Sequence, residues 1–170
     1  MAVSLLTLAL LGTLSLLATI VLGYQVPADP AQLKRHFLLA FGSTTLLVMG
    51  HAFILFFLIA TGVEMKDMEK AHGWGDSFRR RSIGLKSRVF PVATLTLLLV
   101  MANFILGAAA HTRAVPALVH ELLAWTTFAF SALTLYREYR ALGDNNRLIA
   151  EAGRRRVSAL TTTPSGPDLS

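Results

Sequence analysis

The sequence predicts an all-α integral membrane protein: a bundle of four transmembrane helices with both termini in the cytoplasm. Composition comes first among the reasons. Of 170 residues, 54% are hydrophobic and only 15% charged, against roughly a quarter charged in an average soluble domain. Four apolar runs, at about 4–24, 37–63, 89–110 and 116–136, each approach or exceed the roughly 20 residues that cross a bilayer core. The basic residues lie almost wholly between and after these runs. Seven Lys/Arg fall in the middle loop and six after the fourth run, against three (Lys34, Arg35 and Arg113) in the other two connections. Positive charge marks the cytoplasmic side. A bacterial cytoplasmic membrane is the expected location, with the opposite connections periplasmic.

The first run carries no charge. It lacks a basic leader, its core is too long, and "TIVLGYQ" offers no small-x-small cleavage site, so it reads as a retained helix. The second opens on "ADPAQ", with Asp29 as N-cap and Pro30 at the first helical position. His51 is its sole ionisable residue. Beyond it, "VEMKDMEKAH" either prolongs the helix or lies along the interface, with Met65, Met68 and Ala71 on a thin apolar stripe. "GWG" at 73–75 breaks the chain. Pro91 is expected in the first turn of the third helix, where its missing N–H costs nothing. Pro116 opens the fourth run, which is interrupted only by His120 and Glu121. That helix is expected to reach about Leu142, turn at "GDNN" and continue in a short helix. This divides the chain into a membrane domain, 1–142, and a basic cytoplasmic tail, 143–170, whose end "TTTPSGPDLS" has the composition of a disordered segment.

The chain also matches itself at an offset of 84 residues. Leu22-Gly23 falls on Leu106-Gly107, His36 on His120, Leu38-Leu39-Ala40 on Leu122-Leu123-Ala124, and Phe41 on Trp125. Both halves read L-G-x12-H-x-L-L-A-aromatic. Duplication of a helical hairpin produces such a pattern, and so does shared membrane composition. Duplicated hairpins keep their orientation and are related by an axis along the membrane normal.

Cysteine is absent, which excludes disulfides, thiolate metal sites and iron–sulfur ligation. No hydrolytic triad, zinc-protease motif or phosphate-cradling loop is present, so the chain is not expected to be catalytic by itself. The net charge of +6 sits at membrane edges and points to anionic lipid rather than nucleic acid. Chemistry therefore rests on a few side chains. His36 and His120 lie at similar depth near the outer face, on different helices, as the two axial imidazoles of a haem b require. His111 can substitute for either. Glu121 beside His120, with Arg113 or His111 as partner, has the equipment of a quinone site that releases protons. His51 lies roughly 22 Å deeper than His36. It is expected near the bilayer midplane, level with Met101, Asn103 and Thr126/Thr127, as a cofactor ligand, a proton group or a histidine bonded to Asn103 or a threonine. Each interfacial histidine equally admits a plain role bridging headgroups and water, and Glu121 admits a plain ion pair.

Three functions follow. The leading one is an anchor or accessory subunit of a respiratory or photosynthetic electron-transfer complex. It would hold haem b, or line a quinone site, near the outer face, among other membrane subunits. The general plan resembles that of small four-helix cytochrome b anchors, without a diagnostic motif. The others are a cofactor-free structural or assembly subunit and a small proton-coupled carrier or channel using Glu121 and His51.

Overall fold

A computed structural model describes residues 2–27, 29 and 31–161. It consists of α1 (Ala2–Gly23), α2 (Gln32–His72), α3 (Ser77–His111) and α4 (Ala117–Thr161). All four are long and apolar enough to cross a membrane, and no strand occurs among the described residues. Consecutive helices pack antiparallel. The α1–α2 and α3–α4 turns therefore lie together, at what we term the hairpin end. The α2–α3 turn and the end of α4 lie at the other, basic end.

Three helices outrun their apolar segments. Apolar residues spaced along the polar extensions pack on one another: Met65, Phe78, Leu148 and Ala152 are buried together, with Met68 and Trp74 against them. This explains why "VEMKDMEKAH" continues α2. It also explains why "GDNN" does not turn. Asn145 is buried and accepts a 3.1 Å hydrogen bond from Thr61, so α4 continues unbroken where a turn was expected. The proposed disorder of the tail falls, apart from Thr161, outside the described residues. α3 likewise starts at Ser77, well before its apolar run. Pro91 thus lies in mid-helix rather than in a first turn.

The α2–α3 break is made by Gly73 and Gly75, both in the left-handed region (φ 65° and 79°), which residues with a side chain rarely adopt. Glu69 then bridges the break. Its buried carboxylate accepts hydrogen bonds from the backbone N–H groups of Phe78 (2.6 Å) and Arg79 (3.2 Å). Those amides open α3 and have no partner within their own helix. At the other end Asp29 accepts the Ala31 amide at 2.9 Å and binds the Gln32 side chain, ahead of a helix that starts at Gln32. Pro30 lies outside the described residues.

α1 and α2 approach closely. A Cβ on Gly50 would sit 2.8 Å from the Ala9 backbone, and one on Gly12 would sit 2.9 Å from the Leu47 amide nitrogen. Glycine is what lets these backbones meet. Two apolar clusters fill the interior. Leu16, Ile20, Leu47, Val100 and Ala124 pack toward the hairpin end. Ala9, Ile54, Leu58, Val89, Ala93, Ala141 and Leu142 pack toward the basic end.

Burial follows the 84-residue offset. On α2 the buried stripe includes Ser43, Leu47, Gly50, Ile54, Leu58 and Thr61. The positions 84 residues on, Thr127, Ser131, Thr134, Glu138, Leu142 and Asn145, are all buried on α4. Ala9, Gly12, Leu16 and Thr19 of α1 correspond in the same way to Ala93, Thr96, Val100 and Asn103 of α3, again all buried.

Candidate functional site

Buried histidines mark two candidate places in the bundle. The first is the hairpin end. His36 packs on Gly23, 3.1 Å from the place a Cβ would occupy, and His120 packs on Gly107 at 3.0 Å. The L-G-x12-H spacing therefore has a physical meaning. A histidine early in the second helix of each hairpin needs a glycine late in the first to make room for its ring. Both histidines are half-buried. His36 Nδ1 lies 3.1 Å from the Thr19 carbonyl oxygen. A carbonyl can only accept, so the proton is on Nδ1 and Nε2 carries the lone pair. The matching His120 Nδ1 is buried without a partner, as is Asn103 Oδ1, whose residue corresponds to Thr19.

The remaining residues expected at this end are arranged differently. Glu121 meets neither Arg113 nor His111. Its Oε1 accepts a 2.5 Å hydrogen bond from the Tyr24 hydroxyl, which in turn accepts one from Trp125 Nε1 at 3.0 Å. The chain Trp125–Tyr24–Glu121 ties the α1–α2 turn to α4 across the exposed surface. His111 and Arg113 are exposed and line a shallow hollow of about 510 Å³ at the α3–α4 turn. Arg113 has φ 59°. Neither contributes to the histidine pair.

The second place is deeper. His51 Nδ1 lies 2.9 and 3.0 Å from the two carboxylate oxygens of Glu138, and both side chains are fully buried. His51 is thus not level with Asn103 and Thr127. Its offset partner is Leu135, and its ring meets a residue one turn further along α4. The second run extends well past the other runs toward the basic end, so its centre is not the centre of the bundle. Glu138 escapes the sequence reading because it follows the last apolar residues, in "YREYR". The available signal is spacing: Thr127, Ser131, Thr134 and Glu138 fall at steps of four, three and four, one face of a helix.

No three His, Asp or Glu side chains gather in metal-binding geometry among the described residues. Comparison with protein-family models, curated proteins and solved structures yields no match for this chain.

Proposed function

We propose that the protein is a four-span membrane subunit of an electron-transfer complex, built from two duplicated hairpins, with the basic end in the cytoplasm. In this reading His36 and His120 would hold a haem b near the outer face. The observation that carries it is the matched histidine pair. Each ring is seated on the glycine of its own hairpin, and neither Nε2 has a hydrogen-bond partner among the described residues. The donor chemistry fits the group: two imidazoles on separate helices, with the His36 tautomer fixed by a backbone carbonyl through Nδ1, as metal-bound histidines commonly are. When bound, a haem b exchanges one electron between ferric and ferrous iron. The protein's own contribution is to hold two rings at one depth. The duplication is supported by the shared burial pattern at the 84-residue offset, and the orientation by the thirteen-to-three split of Lys/Arg.

The test is a reduced-minus-oxidised spectrum of the protein purified from its own membranes, with whatever subunits accompany it. A b-type band that is lost in His36→Ala and in His120→Ala, with the fold retained, is the expected result. A protein without b-type absorbance would reject the haem and leave a cofactor-free structural or assembly subunit.

A further inference from the structure

The two halves bury matching positions but not matching chemistry. On α2 the stripe reads Ser43, Leu47, Gly50, Ile54, Leu58, Thr61; on α4 it reads Thr127, Ser131, Thr134, Glu138, Leu142, Asn145. Leu47, Gly50 and Ile54 face their counterparts as a serine, a threonine and a glutamate. The layer occupied by His51 and Glu138 corresponds, under the offset, to Leu135 and Ile54, which pack in one apolar cluster. The fold therefore closes this layer with hydrocarbon on one side of the bundle. It has no structural need of a histidine–glutamate contact on the other. Ionisable groups within a membrane span are functional candidates by default.

The polar atoms around the pair form a file with a direction. From Glu138 toward the hairpin end come Thr134, hydrogen-bonded to Thr96 at 2.7 Å, then Ser131, Thr127, Asn103 and His120. From Glu138 to Thr127 successive α4 members are three or four residues apart, about 6 Å of rise at most, a gap that one bridging water spans; the seven-residue step from Thr127 to His120, about 10 Å, relies on Asn103 of α3. Five buried side-chain atoms lack a partner among the described residues, and four of them lie on this stretch: His51 Nε2, Ser131 Oγ, Asn103 Oδ1 and His120 Nδ1. Toward the basic end the file stops. Leu58, Ala141 and Leu142, all buried in the apolar cluster, separate the pair from Thr61 and Asn145.

We propose that His51 and Glu138 form a proton-exchanging site within the membrane, loaded and unloaded from the hairpin end along this file and sealed from the basic end by the apolar plug. On uptake, a proton arriving along the file binds the His51 Nε2 lone pair, and the pair gains one positive charge. Release reverses the step, so one proton enters and one leaves by the same route. Among the described residues no other ionisable group faces the pair. α1 has none, α2 has none between His36 and Glu64, and α3 has none between Arg88 and His111. On α4, Arg137 and Arg140 flank Glu138 but line, with Arg88 and Asp144, a separate groove between α3 and α4. The inference does not depend on a haem at His36 and His120.

The test uses the full chain in lipid nanodiscs, read by infrared difference spectroscopy of carboxyl groups and by NMR of ¹⁵N-labelled histidine. Glu138→Gln assigns the carboxyl signal, and His51→Gln assigns the ring. Should either variant fail to fold, the coupled response of the wild-type carboxyl and imidazole signals still reports the site. We expect both signals to respond together to a pH change and to exchange with D2O. Exchange should slow at least tenfold in the double variant Ser131→Ala, Thr134→Val and be unaffected by Thr61→Val. Signals that ignore both pH and D2O would make the pair a locked structural contact and overturn the proposal. So would exchange that slows in Thr61→Val but not in the double variant.

Discussion

Replacing Gly50 with alanine should loosen the first hairpin. The added Cβ would sit 2.8 Å from both Cα and N of Ala9, whereas carbon atoms rest comfortably at about 3.5–4.0 Å. These are backbone atoms, so no side chain can swing away, and α1 and α2 must part by roughly 1 Å. Overpacking of this kind costs about 1–3 kcal/mol. Alanine returns at most about 1 kcal/mol of helix propensity, and less where the unfolded reference is itself helical. The net loss should be about 1–2 kcal/mol. Gly42 is the internal control: it lies on the same helix, and a Cβ there meets nothing within 4 Å. Gly42→Ala should change stability by no more than about 0.5 kcal/mol. Reversible unfolding by titration of a denaturing into a mild detergent, followed by circular dichroism, measures both. If Gly50→Ala proves as stable as Gly42→Ala, the backbones of α1 and α2 do not meet as described.

A double-mutant cycle addresses the buried pair. His51→Leu or Glu138→Ile alone strands a buried polar partner and should cost about 3–5 kcal/mol, whereas the two together rebuild the layer formed by Leu135 and Ile54 and should recover most of that loss; additive losses would contradict the correspondence. At the basic end, Glu69→Ala removes the acceptor for two amides of α3 and should cost about 0.5–2 kcal/mol. Faster proteolysis around residues 73–76 reports it, and an unchanged cleavage rate would count against the cap.

The spans were legible because hydrocarbon runs of bilayer length have few alternatives. Their ends were not. The polar extensions of α2, α3 and α4 hold together through single apolar residues, Met65, Phe78 and Leu148, set among charges. No local pattern reveals that three such sparse faces will meet. The histidine–glycine spacing was visible as a repeat, but its cause, a ring seated over a missing Cβ, belongs to packing between helices. Glu138 was hidden by a boundary drawn where hydropathy fell, at Tyr136. The same offset that aligned His36 with His120 aligns Glu138 with Ile54, and a core position on one helix would have marked its counterpart as core. Glu121 was misassigned a partner because Tyr24, the residue it binds, is far away in sequence.

The unequal chemistry of the two buried stripes also bears on how the chain enters the membrane. The inner face of α2 is mostly leucine, isoleucine and glycine, with Ser43, His51 and Thr61 among them. The inner face of α4 carries Thr127, Ser131, Thr134, Glu138 and Asn145, and a buried carboxyl without a partner is costly beside lipid. His51, carried in by the first hairpin, is the group that offsets this cost. Synthesis order therefore matters: the hairpin made first serves as a template, and the hairpin made second enters against protein rather than lipid. Of the four helices, α4 is the one that most needs its predecessors already in place.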